Sequence, residues 1–312
     1  MKDNIFVALS TFAEYGKEPL TLLKNTGIEY SFNPLGRRLV REEIVQMGSN
    51  ASGIIAGVEP YDAEVLCNLP NLKCISRAGV GIENIDLNYT RERNIKIKNT
   101  PDVVIRPVVE LTIAMIFDLL RKTTFHTLLL KNRRWEKTAG NLLFGKTVGI
   151  IGTGRIGKAV AELLIKLGVN IRAYDVVPDE KWANLNNVEY LPLEKILSFV
   201  DIISLHALPE PDQLPLIGKE EINLMKNGVV LINTSRGECI DENALIEGLK
   251  SEKVGGVGLD VFPSEPYEGE LIKFDNVVLT PHLATLTKES RLEMEIQATQ
   301  NLLDELNKQK QE

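Results

Sequence analysis

The stretch Thr147-Val148-Gly149-Ile150-Ile151-Gly152-Thr153-Gly154-Arg155-Ile156-Gly157 predicts a strand that enters a glycine-rich turn and leaves it as a helix. Gly152 allows the tight turn, Gly154 lets the backbone approach a pyrophosphate, and Gly157 lets the helix pack closely on the strand. The N–H groups at the start of that helix face the phosphates. Asp175 follows the next apolar run, at the distance expected for a carboxylate that binds ribose hydroxyls and repels a 2′-phosphate. The pattern therefore predicts a Rossmann unit that binds NAD in preference to NADP.

The composition is that of a folded protein. The 312 residues are 44% apolar and 25% charged, which suits about two domains with sizeable cores. A net charge of −7 argues against nucleic acid or an anionic membrane as the main partner. No apolar run is long enough to span a bilayer, and the start Met1-Lys2-Asp3-Asn4 lacks the layout of a signal peptide, so we expect a cytoplasmic protein. The cysteines form no CxxC or Cys/His cluster; we expect no disulfide framework and no metal site, and thiols that are reduced and mostly buried.

Short apolar runs alternate with helical patterns before and after the glycine-rich turn. This alternation predicts an α/β protein with two doubly wound domains, each a parallel sheet covered by helices on both faces. We expect residues 101–284 to form the Rossmann NAD-binding domain, inserted in a flavodoxin-like substrate domain made of residues 1–100 and 285–312. The segment Val108–Leu120 predicts one long helix with Pro107 in its first turn. The tail Thr287–Lys308 predicts another helix, which has no strand of its own to cover and is expected to return to the first domain.

The remaining strands are predicted from short apolar runs. They are Ile5–Leu9, Glu29–Phe32, Ser52–Ala56, Lys73–Ser76 and Ile95–Lys98 in the first domain, and Asn170–Tyr174, Ile202–Leu205, Val229–Asn233, Gly256–Asp260 and Val277–Thr280 in the second.

Polar residues that follow these strands are candidates for chemistry, because ligands of open parallel sheets bind beyond the carboxyl ends of the strands. His282 follows a strand and a proline, and an enzyme that reduces a ketone needs a proton donor that titrates near neutrality. Glu265 follows the preceding strand, where a carboxylate would fix the tautomer of an imidazole and stabilise its charged form. Arg236 lies in a turn of small residues, where a guanidinium can grip a carboxylate bidentately and polarise the adjacent carbonyl.

Several polar positions in these segments suit more than one role. His206 also ends a strand and rivals His282 as the acid. Arg236 by itself suits a structural salt bridge equally well. The loop Ala78-Gly79-Val80-Gly81 suits either an anion nest of backbone N–H groups or a plain turn after a strand. His126 lies in an apolar helical context that suits a structural role.

Taken in order, these segments resemble the D-isomer-specific 2-hydroxyacid dehydrogenases over almost the whole length of the chain. The resemblance rests on the glycine-rich turn with Asp175, on Ala78-Gly79-Val80-Gly81, Val109-Glu110, Asn233-Thr234-Ser235-Arg236-Gly237, Gly258-Leu259-Asp260-Val261-Phe262, Glu265-Pro266 and Thr280-Pro281-His282. It implies that Arg236 binds the substrate carboxylate and carbonyl, that His282 is the catalytic acid/base, and that Glu265 is its partner.

The resemblance also implies binding residues and a partner. Backbone N–H groups of Val80 and Gly81 would bind the substrate carboxylate. The residues implied to bind NAD are Gly152, Gly154, Arg155, Ile156, Gly157, Asp175, His206, Thr234 and Asp260. The family is usually dimeric, so we expect a homodimer through residues 108–145. The basic stretch Lys131–Lys137 suits that interface, and it also suits a solvated helix end.

Within this family the chain most resembles phosphoglycerate dehydrogenase, through Ser76-Arg77-Ala78-Gly79 and Arg134-Trp135-Glu136-Lys137, with three departures. Ala56-Gly57-Val58-Glu59 brings no cation where that branch carries an arginine and a lysine for the phosphate. Asp102–Pro107 replaces a small, glycine-containing turn. The sequence also ends at Glu312, so we expect no regulatory extension like that of longer members.

The substrate side chain is left open by these departures. Arg77, Arg106 and the Arg133-Arg134 pair are candidates to bind a second anionic group of the substrate, although solvated or structural positions suit them as well. We expect an NAD-dependent oxidoreductase that interconverts a D-2-hydroxy acid and its 2-keto acid, in the manner of phosphoglycerate dehydrogenase. The alternatives are a glyoxylate/hydroxypyruvate reductase and a non-catalytic, NAD-sensing relative of corepressors on the same fold.

Overall fold

The computed structural model describes residues 3–208, 213 and 215–309. Met1, Lys2 and Glu312, on which the expectations about the two ends of the chain rest, lie outside the described residues. Contacts divide the chain into two compact units, Met1–Val104 with Thr285–Glu312 and Ile105–Ala284. The first boundary lies at 104/105, where the sequence predicted 100/101, because residues 101–104 form a turn that precedes the next helix.

A five-stranded, all-parallel sheet forms the centre of the first unit. Its strands are β1 (Asn4–Val7), β2 (Glu29–Phe32), β3 (Gly53–Ala56), β4 (Cys74–Arg77) and β5 (Lys96–Lys98), in the order β2-β1-β3-β4-β5. The helices are α1 (Glu18–Thr26), α2 (Arg41–Gly48), α3 (Ala63–Cys67) and α4 (Leu87–Glu92). This strand order is the flavodoxin-like one, whose topological switch point lies between β1 and β3.

The tail of the chain completes the first unit as a long helix, numbered α12 (Lys288–Lys308) in chain order. Thr287 caps it by accepting the N–H of Ser290 at 3.1 Å. The helix packs against α1, β3, β4 and β5. Leu302 and Leu306 lie over Gly53, where a Cβ would come within 2.8 Å of Leu302 Cδ1. The tail therefore covers the sheet of the first unit.

The second unit is built on a seven-stranded, all-parallel sheet. Its strands are β6 (Thr147–Ile151), β7 (Asn170–Tyr174), β8 (Glu189–Tyr190), β9 (Ile202–Leu205), β10 (Val229–Asn233), β11 (Val254–Leu259) and β12 (Val277–Leu279), in the order β12-β11-β10-β9-β6-β7-β8. The helices are α5 (Ile105–Arg121), α6 (Thr123–Lys131), α7 (Arg155–Lys166), α8 (Glu180–Asn186), α9 (Leu193–Leu197), α10 (Lys219–Leu224) and α11 (Glu242–Lys250). Short 3₁₀ helices cover Gly237–Cys239 and Glu270–Lys273. The strand order reverses between β6 and β9.

Local chemistry sets the ends of these helices. Asp62, Asp86, Asp179 and Asp241 precede α3, α4, α8 and α11, and each carboxylate accepts an N–H of the first turn. Gly168 follows the C-cap residue of α7 and has a φ of +79°, a left-handed conformation that terminates the helix.

The prediction of two doubly wound parallel sheets is confirmed, and the differences are local. The predicted helix at 108–120 begins three residues earlier, at Ile105, and keeps Pro107 in its first turn. Sequence reasoning missed α8 and β8 because these elements are short and mostly exposed, so their apolar periodicity is weak. The helical context predicted around His126, without bounds, is α6. The basic stretch Lys131–Lys137 begins at the last residue of α6 and continues without helix or strand.

The cysteines follow the expectation from composition: Cys74 and Cys239 are buried, and Cys67 is exposed. Within the described residues, none of the helices combines the length and the apolar character needed to cross a bilayer.

Candidate active site

The glycines of the turn after β6 have different structural roles. Gly152 has a φ of +92°, and a Cβ there would lie 2.5 Å from the backbone nitrogen of Ala207. At Gly157 a Cβ would lie 1.9 Å from the carbonyl oxygen of Gly152, so only glycine lets α7 pack on the turn. Gly154 is different, because a Cβ there would meet no protein atom within 4 Å. The turn therefore leaves open space directly above the first N–H groups of α7, as a phosphate cradle requires.

Asp175 follows β7 and is tied to this turn. Its carboxylate accepts the N–H of Thr153 at 2.6 Å, the Thr153 hydroxyl at 3.0 Å and the N–H of Val177 at 2.9 Å. Burial raises the pKa of Asp175, but these hydrogen bonds outweigh it and hold the pKa below its usual value. The carboxylate is therefore ionised at neutral pH. Three of its roughly four acceptor positions are used by the chain, which leaves about one for a ribose hydroxyl in this arrangement.

The two other residues predicted at the start of α7 lie on its first turn. Arg155 is exposed, and Ile156 packs against the apolar core between α7 and the sheet. Thr234, after β10, is buried, and its hydroxyl lies 3.1 Å from that of Thr112 on α5.

The turn after β10 presents Arg236. The side chain of Asn233 fixes it, since its Oδ1 accepts the N–H and the hydroxyl of Ser235 and its Nδ2 donates to the carbonyl of Arg236 at 2.7 Å. Gly237 brings this turn against the one after β11, because a Cβ there would lie 2.0 Å from the carbonyl carbon of Phe262. The guanidinium of Arg236 donates to the carbonyl of Ser235 at 2.8 Å. The turn is thus held by main-chain and Asn233 contacts, to which the Arg236 guanidinium adds one hydrogen bond.

His282 and Glu265 are brought together, as their positions after neighbouring strands predicted. His282 Nδ1 lies 2.9 Å from Glu265 Oε2, while Glu265 Oε1 accepts the N–H of Phe262 at 3.1 Å. Because an ionised carboxylate only accepts hydrogen bonds, this partner places the proton on Nδ1. Nε2 is then the ring atom that exchanges protons. Both side chains are partly exposed, so the pair is open to a small molecule.

Asp260 holds the turn that carries His282. Its carboxylate is completely buried and accepts the hydroxyl of Thr280 at 2.6 Å and the N–H groups of Leu283 and Ala284 at 2.8 and 2.9 Å. His282 itself has a φ of +49°, a left-handed conformation that this clamp maintains. The geometry thus gives Asp260 a positioning role, which differs from the cofactor contact predicted for it. Sequence reasoning missed that role because burial and hydrogen-bond partners depend on the tertiary fold.

His206, the rival acid, follows β9. Its Nε2 lies 2.9 Å from the hydroxyl of Ser204, and burial lowers the pKa of His206 to about 4. The imidazole is therefore neutral at physiological pH and a poor proton donor there. This difference in environment separates the two histidines, which sequence position did not.

The first unit carries the predicted anion loop after β4. Gly79, at a φ of +140°, donates its N–H to Thr100 Oγ1 at 2.8 Å, and Asn99 Nδ2 donates to the carbonyl of Val80 at 2.8 Å. Within the described part of the chain, the N–H groups of Val80 and Gly81 have no acceptor. The loop is thus rigid and offers two adjacent donors, as a nest for a carboxylate requires.

The arginines predicted to meet a second anion differ in setting. Arg77 ends β4 and donates from Nη1 to the carbonyl of Ala78 at 3.2 Å, with its guanidinium beside Gly79. Arg106 is exposed on the first turn of α5, in the second unit. Arg134 is paired with Glu136 at 2.8 Å on the surface, which favours a solvated position for that residue.

Comparison with known proteins gives consistent relatives. Residues 113–284 match the family model described as D-isomer specific 2-hydroxyacid dehydrogenase, NAD binding domain. A hydroxypyruvate reductase of Thermotoga maritima is 38% identical over 81% of this chain and 84% of its own length. A D-3-phosphoglycerate dehydrogenase of Archaeoglobus fulgidus is 35% identical over 88% of this chain, but over only 53% of its own length. Among solved structures, D-lactate dehydrogenase of Aquifex aeolicus in complex with NAD and lactic acid superposes with a TM-score of 0.84 at 28% identity, covering 98% of this chain and 96% of that one.

Proposed function

Because the chain belongs to the D-isomer-specific 2-hydroxyacid dehydrogenases, which are NAD-dependent oxidoreductases, we propose that it interconverts a small D-2-hydroxy acid and its 2-keto acid through His282, Glu265 and Arg236. The observation that carries the proposal is the His282–Glu265 pair, joined at 2.9 Å on a turn clamped by the buried Asp260. A carboxylate and an imidazole held in one geometry at the end of a sheet suit proton transfer better than a structural contact.

The residues of the second unit fit the cofactor. The open space above Gly154, the first turn of α7 and the ionised Asp175 supply a phosphate cradle and a ribose acceptor. Bound there, the nicotinamide supplies or accepts the hydride at C2 of the substrate. We assign phosphate binding to the backbone from Gly152 to Gly157, and discrimination against a 2′-phosphate to the charge of Asp175.

We assign proton transfer to His282. In the direction of reduction, Nε2 donates its proton to the ketone oxygen as this becomes the hydroxyl of the product. Glu265, bonded to Nδ1, keeps the ring in the orientation needed for donation. In the reverse direction, Nε2 of the neutral ring removes the hydroxyl proton. One proton is thus exchanged with solvent in each turnover.

We assign orientation of the substrate to Arg236 and, within the first unit, to the loop after β4. The planar guanidinium is suited to bind one carboxylate bidentately and to polarise the neighbouring carbonyl. Within the first unit, we assign binding of a substrate carboxylate to the N–H groups of Val80 and Gly81. Fixing that group sets which face of the keto carbon receives the hydride, and hence the configuration of the product.

For the substrate we favour glyoxylate or hydroxypyruvate over a phosphorylated acid. Where the phosphoglycerate dehydrogenase branch carries an arginine and a lysine for the phosphate, this chain has the carboxylate of Glu59, in the segment Ala56-Gly57-Val58-Glu59. The test is oxidation of NADH by the purified protein on addition of glyoxylate or hydroxypyruvate. We expect turnover with both acids. Binding of NADH without oxidation by any 2-keto acid would instead indicate a cofactor-sensing protein.

We also propose that the chain forms a homodimer through the second unit. Several large apolar side chains on α6 and in the segment that follows it are strongly exposed: Leu128 53%, Leu130 52%, Trp135 80%, Leu142 73% and Phe144 76%. Soluble monomers rarely expose so much apolar surface in one segment. Sedimentation equilibrium should give twice the chain mass of 34.8 kDa. Double substitution Trp135→Asp and Phe144→Asp should halve that mass, whereas wild-type protein that sediments as a single chain at micromolar concentration would contradict the proposal.

A further inference from the structure

Glu59 lies at the switch point of the first unit's sheet. It follows β3, which is paired with β1 on one side and β4 on the other. Its carboxylate lies over Gly57, where a Cβ would come within 3.1 Å of both carboxylate oxygens and of Leu9, the second residue after β1. In open parallel sheets of this order, the crevice between the loops after β1 and β3 is where ligands bind.

The same residue is joined to the loop proposed to hold the substrate carboxylate. Asn84, three residues beyond Gly81, donates from Nδ2 to the carbonyl of Glu59 at 2.6 Å and to that of Gly57 at 3.3 Å. The strands that lead into the two loops are also paired. Ala56 is the register partner of Arg77, and the N–H of Ala78 donates to the carbonyl of Ala56 at 2.8 Å. The turn of Glu59 and the anion loop therefore form one edge of the first unit.

The carboxylate of Glu59 is buried without an ion-pair partner. The residue is 3% exposed, and the N–H of Gly57 donates to Oε2 at 2.7 Å. Within the described residues, no lysine or arginine lies within ion-pair distance of it. Arg77 and Arg38 act on it only through their fields, which partly offset the rise in the pKa of Glu59 that burial causes. An isolated buried acid is costly to keep, and sites of function are where such groups concentrate.

The negative charge of Glu59 is consequently in place at this edge before any substrate arrives. Arg77 is the cation beside the anion loop, with its guanidinium against Gly79. The field of Glu59 opposes that of Arg77, and a buried charge is screened little by salt. The fully buried hydroxyl of Tyr61 has no hydrogen-bond partner in the described part of the chain, so it supplies no donor that neutralises Glu59.

We propose that Glu59 makes this enzyme discriminate against 2-keto acids that carry a second anionic group, because its buried carboxylate places a negative charge beside the anion loop. The inference rests on the proposed function, since it concerns which 2-keto acid the same site accepts. One carboxylate is bound by the N–H groups of Val80 and Gly81, and a distal phosphate meets like charge. Specificity of this kind is built by repulsion of the wrong ligand.

The test compares kcat/KM for glyoxylate, hydroxypyruvate and 3-phosphohydroxypyruvate, with NADH, in wild-type protein and in Glu59→Gln. Glutamine keeps one acceptor oxygen for the N–H of Gly57, removes the charge, and places an NH2 group where the second carboxylate oxygen lay. We expect the wild-type enzyme to favour hydroxypyruvate over the phosphorylated acid by about a hundredfold or more. In Glu59→Gln that ratio should fall at least about tenfold, mainly because the phosphorylated acid improves, while turnover of glyoxylate changes by less than about threefold.

Glu305→Gln is the matched control. Glu305 is also a buried acid of the first unit, but it pairs with Lys98 at 3.1 Å and lies on α12 next to Leu306, which packs over the beginning of β3. This variant should leave the ratio unchanged.

A wild-type preference for the phosphorylated acid would overturn the inference without any variant. A ratio that stays the same in Glu59→Gln, with glyoxylate still reduced, would also overturn it and would leave Glu59 as a support for its own turn. Absence of turnover with all three acids would contradict the proposed function itself, and the inference with it.

Discussion

Replacement of His282 by asparagine is expected to lower kcat for reduction of a 2-keto acid by about a hundredfold or more, the usual worth of a general acid. Asparagine cannot donate the proton that Nε2 supplies. It tolerates the left-handed backbone that His282 adopts at a φ of +49°, so the turn should survive. The affinity for NADH, measured by fluorescence titration, should stay near that of the wild type, because the residues that fit the cofactor lie after β6 and β7.

His126→Asn serves as the control for loss of a histidine. His126 lies on α6, where its ring contacts the carbonyl of Thr138 at 3.2 Å, and kcat should not change. If His282→Asn kept the activity of the wild type, the proton would come from elsewhere. His206 would then be the alternative proton donor. Because burial lowers the pKa of His206 to about 4, the substrate or the cofactor would have to stabilise its charged form.

Replacement of Arg236 by glutamine is expected to lower kcat/KM for the keto acid by a factor on the order of 10² to 10³, as for loss of one partner of a charge-assisted pair. The loss should appear in both KM and kcat, because the guanidinium is assigned to the carboxylate and to the polarised carbonyl. The turn should keep its shape, since Asn233 holds it through the carbonyl of residue 236. Steady-state kinetics with varied keto acid, together with NADH titration, measure these effects.

Arg236→Lys separates charge from geometry. Lysine keeps the positive charge but lacks the planar fork, so an intermediate loss is expected. Wild-type kinetics in Arg236→Gln, combined with a lowered midpoint of thermal unfolding, would mean that Arg236 is the structural ion-pair residue that its sequence position equally allowed.

Much of the fold could be predicted from sequence because the inner strands of both sheets are buried on both faces. These strands are continuous apolar runs, as in Ile202–Leu205, whose predicted bounds match those of β9. Elements that bury little surface, such as α8 and β8, leave no such signal. Near the first domain boundary, α5 begins at Ile105, three residues before Val108, and Pro107 lies in its first turn as predicted.

The candidate site was predictable to the extent that it follows strand ends. Parallel strands bring Glu265 and His282 to one edge, and spacing alone suggested that they meet. What sequence could not supply was the environment of each group. Burial lowers the pKa of His206 and so distinguishes it from His282. The buried Asp260 holds the turn of His282. Sequence showed Glu59 only as the absence of a cation, whereas the structure shows a buried acid without an ion-pair partner among the described residues.

We propose that this site reduces 2-keto acids to the D-isomers of 2-hydroxy acids. The most direct measurement combines oxidation of NADH by hydroxypyruvate with determination of the configuration of the glycerate formed. We predict turnover that depends on hydroxypyruvate and yields D-glycerate. Formation of the L-isomer, or binding of NADH with no oxidation by hydroxypyruvate or glyoxylate, would contradict that claim.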